Sequence, residues 1–66
     1  MNRIINDLGE YFVAMRNGTV IFSTDPDKAM LLDQSQVNGL LGNIYQRVPA
    51  DVTLYVEREI WNRRAA

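Results

Sequence analysis

The chain has 66 residues, one lysine and six arginines against eight acidic residues, a formal net charge of −1, and neither cysteine nor histidine. A chain of this length predicts one domain over 1–66, and without disulfides its core supplies only ~3–5 kcal/mol of stability. The missing cysteine and histidine exclude the usual zinc and copper sites, thiol catalysis and imidazole general-base catalysis. The near-neutral charge gives no broad basic field for a nucleic-acid backbone.

The N-terminal segment shows no targeting signal. It lacks the apolar run and cleavage site of a signal peptide, and the longest apolar stretches, 11–15 and 29–32, are far shorter than the ~20 residues of a membrane span. We therefore expect a cytoplasmic protein. Ile4, Ile5 and Leu8 favour a short N-terminal helix, with a strand as the alternative.

Residues 10–24 predict a β-hairpin. Two runs of β-branched and aromatic residues flank Asn17-Gly18, a dipeptide that favours the positive φ angles of a type I′ turn. A two-residue loop there sets Arg16 opposite Thr19, and regular alternation then defines two faces. The expected core face carries Tyr11, Val13, Met15, Val20 and Phe22, with Val13 opposite Phe22. The other face carries Phe12, Ala14, Arg16, Thr19, Ile21 and Ser23, with Phe12 opposite Ser23.

A short helical turn and then a longer helix are expected next. Asp25 is placed to cap the turn that Pro26 begins, and residues 30–32 then enter the core. Asp33 and Gln36 form a predicted capping box for a helix over 34–48. Its apolar stripe consists of Val37, Leu40, Leu41, Ile44, Tyr45 and Val48. On its back lie Gly39 and Gly42, which mark either a weak helix held by packing or a smooth patch for another backbone.

Residues 51–61 predict a third strand, with Val52, Leu54 and Val56 toward the core and Thr53, Tyr55, Glu57, Glu59 and Trp61 on the other side. The expected fold class is α+β: a small antiparallel three-stranded sheet with one amphipathic helix on one face, in the order ββαβ. The direction and partner of the third strand stay open.

No catalytic residue, metal site, cofactor site or small-molecule substrate is expected. The acid pairs Asp25/Asp27 and Glu57/Glu59 lack the further oxygen ligands of a calcium loop, and they fit helix capping and a solvated strand face. The hydroxyl residues have no imidazole to activate them, and the glycines form no phosphate loop. We therefore expect that the protein is not an enzyme.

The sheet face away from the helix is the predicted binding surface. Its expected anchors are Phe12, Ile21, Tyr55 and Trp61, with Arg16 and Arg58 at the rim. Aromatic residues and arginine are typical of protein–protein interfaces. The alternatives are that the N-terminal segment covers this face, or that a protein partner or a second copy binds it. The open edges of the sheet offer another route to a homodimer.

Two other functions compete with protein binding. Arg58, Arg63 and Arg64 lie near Tyr55 and Trp61, a mixture that is used to bind single-stranded nucleic acid. Against it, acidic residues interleave with them, and the sequence pI is about 5.1. A structural subunit of a larger assembly is the third possibility.

The layout over about 10–57 also resembles a class of small accessory proteins. Tyr11-Phe12-Val13 in a hairpin, then Asp27-Lys28-Ala29, then a helix opened by 33–37 and a closing strand is similar to many phage, prophage and plasmid proteins. Anti-CRISPR and other anti-defence inhibitors are among them. The resemblance implies an inhibitor that binds and blocks a host complex, but it carries over no functional residue. The charge of −1 does not support a DNA-mimic mechanism.

Overall fold

The computed structural model describes residues 1–58. In chain order it contains β1 (Asn2–Asn6), β2 (Tyr11–Arg16), β3 (Thr19–Ser23), a 3₁₀ turn (Pro26–Lys28), α1 (Gln34–Tyr45) and β4 (Leu54–Arg58). The strands form one antiparallel sheet in the order β3-β2-β1-β4. This confirms an α+β fold with an antiparallel sheet and one helix. The sheet, however, has four strands rather than three.

The additional strand is the N-terminal segment, so the favoured N-terminal helix is wrong and the alternative, a strand, is confirmed. Asn2, Ile4 and Asn6 are buried while the residues between them are half-buried, which is the period-two pattern of a strand. Leu8, which suggested a helical period, lies in the following loop with 77% of its surface exposed. Since β1 is an inner strand of the sheet, the alternative that this segment covers the open face is also wrong.

Asn6 organises the tight connection from β1 to β2. Its side-chain oxygen accepts hydrogen bonds from the backbone N–H of Leu8 at 3.0 Å and of Glu10 at 2.9 Å. Its amide nitrogen donates to the Glu10 carboxylate at 2.9 Å, so both the oxygen and the nitrogen of this buried side chain have partners. Gly9 takes φ +80°, a left-handed conformation that favours glycine.

The hairpin turn is confirmed. Asn17 and Gly18 have φ of 50° and 77°, as a type I′ turn requires. The pairs Arg16–Thr19, Met15–Val20 and Ala14–Ile21 form as expected.

Beyond Ala14 the predicted register is wrong, because β2 contains a β-bulge. The pairing jumps from Ala14–Ile21 to Phe12–Phe22, which leaves Val13 as the extra residue. Phe12 therefore enters the core beside Phe22, with ring centroids 6.4 Å apart in an edge-to-face arrangement. Tyr11 lies opposite Ser23 and takes the other face.

Residues 30–32, which follow the capped turn, form backbone hydrogen bonds to both β2 and β1. The Asp25 side chain accepts the backbone N–H of Asp27 at 3.0 Å, as predicted. The backbone N–H of Met30 then donates to the Phe12 carbonyl at 3.0 Å. Leu32 exchanges two backbone hydrogen bonds with Asn2, at 2.7 and 2.8 Å, and is 1% exposed.

Helix α1 has the predicted capping box. The Asp33 carboxylate accepts from the Gln36 backbone at 2.8 Å, and the Gln36 side chain accepts from the Asp33 backbone at 2.9 Å. The helix ends at Tyr45 rather than at 48, where the Arg47 N–H bonds to the Ile44 carbonyl three residues earlier, at 2.9 Å, and tightens the last turn.

The apolar stripe of α1 packs on β1 and its neighbours. Six residues form the buried core: Ile4, Phe12, Leu32, Val37, Ile44 and Leu54. Tyr45 is not in it; its ring is 46% exposed, and its hydroxyl accepts the backbone N–H of Leu54 at 3.1 Å. No helix within 1–58 is long and apolar enough to cross a membrane.

The last strand is shorter than the predicted 51–61. β4 begins at Leu54, since a turn bonds the Val52 N–H to the Pro49 carbonyl at 3.0 Å. Val52 and Leu54 join the core as expected, but Val56 is 44% exposed. The predicted residues 59–61 lie outside the described part of the chain.

The four glycines divide into two kinds that substitution should separate. A Cβ at Gly39 or Gly42 would meet nothing within 4 Å, and neither has a positive φ. Alanine at either site should raise the free energy of unfolding by ~0.5–1 kcal/mol, measured by urea denaturation.

Gly9 and Gly18 provide the matched controls, because both have positive φ. Alanine there should lower the free energy of unfolding by ~1–2 kcal/mol. If alanine at Gly39 or Gly42 lowered the stability instead, another part of the protein would have to contact that face of α1.

Candidate binding surface on the open sheet face

The strand register defines a face of the sheet that α1 does not cover, here called the open face. Arg3 pairs with Glu57, Ile5 pairs with both Tyr55 and Tyr11, and Ala14 pairs with Ile21. Neighbours across an antiparallel pair share a face, and β1 alternates between Ile4 in the core and its flanking residues outside. The open face therefore consists of Arg3, Ile5, Tyr11, Ala14, Ile21, Ser23, Tyr55 and Glu57, and the Arg16–Thr19 pair continues it at the hairpin end.

A charged pair lies within this apolar surface. The Arg3 Nη2 atom is 2.8 Å from the Glu57 Oε1 atom, and the Arg3 guanidinium lies 5.1 Å from the centre of the Tyr11 ring. Arg3 thus links β4, β1 and β2 through one ion pair and one cation–π contact. Its side chain is only 19% exposed, so the pair is partly shielded and adds no net charge to the face.

Two of the predicted anchors lie on the open face. Tyr55 is 55% exposed, and Ile21 is half-buried on β3. Phe12 is 1% exposed in the core and is no surface anchor, which corrects the expectation. Trp61 lies outside the described residues.

The two arginines predicted for the rim lie on different faces of the sheet. Arg16 is exposed at the hairpin end and, since Met15 packs on the core, it points to the open-face side. Arg58 pairs with Asn2, which is buried on the helix side, so it belongs to the opposite face from Tyr55. The structure does not bring these two arginines together.

Sequence reasoning missed Arg3, Ile5 and Tyr11 as members of the face. Arg3 and Ile5 are missed because Asn-Arg-Ile-Ile-Asn has no alternation of polar and apolar residues to predict a strand, although its burial alternates in the structure. Regular alternation along β2 predicts Tyr11 in the core, because nothing in the local sequence marks Val13 as a bulge.

Of the acid pairs, Asp25 caps the 3₁₀ turn as expected. Glu57 does not lie on a freely solvated face as expected, because it is half-buried and pairs with Arg3. Glu59 lies outside the described residues. Within 1–58 there is no group of three acidic side chains placed to hold a metal ion, and no concave pocket.

Comparisons with protein-family models, with curated proteins and with solved structures find no match to this chain. The fold defines it as a small α+β protein whose four-stranded sheet has its helix on one face only. Function must therefore be argued from the surface itself.

Substitution of Phe12 tests the corrected register. Phe12→Ala should cost ~3–5 kcal/mol, which equals the whole stability expected of a domain this small. We expect the variant to be unfolded by circular dichroism.

Tyr55→Ala is the control on the open face. Because Tyr55 is more than half exposed, its loss should cost below ~1 kcal/mol. A folded Phe12→Ala variant would show that the bulge does not place this ring in the core.

Proposed function

We propose that the protein is a non-catalytic binding module that docks a partner protein on its open face. The observation that carries the proposal is a partly exposed surface of aliphatic and aromatic side chains around a neutral ion pair. Such surfaces are typical of protein interfaces, in which tyrosine and arginine supply much of the binding energy.

The chemistry of the face indicates the partner that it fits. Ile5, Tyr11 and Tyr55 form a flat apolar area on neighbouring strands. The charges of Arg3 and Glu57 already neutralise each other at 2.8 Å, so a partner can bury the pair without leaving an unpaired charge. Arg16 is the exposed cation at one end. The complementary surface is therefore apolar at its centre, with a carboxylate placed to meet Arg16.

The biological role within this proposal comes from the resemblance to small phage and plasmid proteins. It is that of a cytoplasmic accessory protein which inhibits a bacterial defence complex of the CRISPR kind, or a regulatory complex, by binding it. A binding surface without a catalytic site is compatible with this role. The near-neutral charge favours an apolar contact over mimicry of DNA.

Nucleic-acid binding is the weaker alternative. It depends on arginines that lie beside Tyr55 and Trp61, but Arg58 and Tyr55 occupy opposite faces of β4. Arg63 and Arg64 lie outside the described residues. The arginine that does share the face with Tyr55, Arg3, is paired with Glu57 at 2.8 Å.

Site-specific photocrosslinking in the source cells tests the proposal. Benzoylphenylalanine would replace Tyr11 or Tyr55 in turn, a change that keeps an aromatic ring at each position. We expect both positions to crosslink the same protein, identified by mass spectrometry, because their rings lie on one face beside Ile5.

Leu8 is the matched control position. It is 77% exposed at the β1–β2 loop, outside the open face, so the same probe there should give little of that crosslink. Equal crosslinking from Leu8, or products from Tyr11 and Tyr55 that share no protein, would refute docking on the open face.

A further inference from the structure

Among residues 1–58, no strand or loop forms backbone hydrogen bonds to the outer edge of β3. β3 is one of the two outermost strands of the sheet, and its sequence, Thr19–Ser23, contains no charged residue and no proline. Natural proteins normally protect edge strands with charges, prolines or covering elements, because an exposed edge pairs with other chains.

The other outer strand, β4, is protected in two ways. The hydroxyl of Tyr45 occupies the backbone N–H of Leu54 at 3.1 Å. The strand also ends in two charged residues, Glu57 and Arg58. The contrast singles out β3 as the edge that is suited to pairing.

The hairpin register shows which backbone groups β3 leaves unused. In a two-residue hairpin the residues that flank the turn, Arg16 and Thr19, bond to each other, and the direction alternates from there. Thr19, Ile21 and Ser23 therefore direct their N–H and C=O groups toward β2. Val20 and Phe22 direct theirs away from the sheet.

We propose that a second copy of the chain pairs with β3 in antiparallel fashion, about a twofold axis at Ile21. In this register Ile21 faces its own equivalent, Val20 faces Phe22 and Thr19 faces Ser23 of the second copy. The outward N–H and C=O groups of Val20 in each copy then form hydrogen bonds with those of Phe22 in the other copy.

The side chains suit this register. It places a β-branched residue beside an aromatic ring on one face and two isoleucines together on the other, and both kinds of pair stabilise sheets. No charged residue lies within the paired strands. Beyond them, the Arg16 end of one copy comes beside the end of the other that carries Asp25 and Asp27, whose charge is opposite to that of Arg16 and outweighs that of Lys28.

The dimer would have one continuous sheet of eight strands, twice the four of each copy. Because the axis is perpendicular to the sheet, both helices lie on one side and both open faces lie on the other. The pairing does not depend on the proposed function, but it would offer a partner two copies of the open face side by side.

A charge exchange at Ile21 tests this register. In light scattering across a hundredfold dilution, the wild-type protein should have about twice the 7.6 kDa chain mass. Ile21→Lys and Ile21→Glu each set like charges directly opposite, so each should raise the dissociation constant by at least about tenfold. An equimolar mixture of the two variants should restore the dimer, because lysine then faces glutamate.

Tyr55→Lys is the control, since it adds the same charge on the same face but at the opposite edge of the sheet. It should leave the dimer intact. A wild-type protein that stays at 7.6 kDa, single variants that remain dimeric, or a mixture that stays monomeric would each overturn the proposal.

Amide hydrogen exchange of the wild-type protein supplies a reading that needs no variant. The amides of Val20 and Phe22 should exchange more slowly as protein concentration rises, while those of β4 should not change. Exchange at Val20 and Phe22 that is independent of concentration would contradict the pairing even if the Ile21 variants failed to fold.

Discussion

The position of β1 inside the sheet is the constraint on which the other contacts depend. β4 pairs with one of its edges over five residues, while β2 and Leu32 bond to the other edge. Ile4 at its centre is fully buried and belongs to the same core cluster as Val37 and Ile44 of α1. Without this strand, β4 would have no neighbour and α1 would lose its main packing surface. An N-terminal segment of five residues thus joins the hairpin to the rest of the chain.

The bulge at Val13 determines which aromatic ring is buried and which is offered to solvent. It sends Phe12 into the core and Tyr11 to the open face, where the Tyr11 ring receives the Arg3 guanidinium at 5.1 Å. Arg3 also pairs with Glu57 from β4. One extra residue in β2 therefore couples the core to the composition of the candidate surface.

Elements governed by local chemistry could be predicted from the sequence, and those governed by contacts across the sheet could not. Asn17-Gly18 and the Asp33 capping box carry their own signals, because the turn and the cap are formed by adjacent residues. The bulge and the strand character of β1 depend on pairing with distant residues, which a local pattern does not record. The candidate site could therefore be predicted only in part. Ile21 and Tyr55 lie on the predicted face, whereas Phe12 and Tyr11 each lie on the face opposite to the predicted one.

The most direct test of this account is amide hydrogen exchange along β1, measured by NMR at low protein concentration. Because β1 bonds to β4 along one edge and to β2, Glu10 and Leu32 along the other, we predict that the amides of residues 2–6 are among the slowest to exchange, together with those of Val37 and Ile44. Exchange of residues 2–6 at the rate of an unstructured peptide would show that β1 is not inside the sheet. The open face would then lack Arg3 and Ile5, and the account of the surface would fail with it.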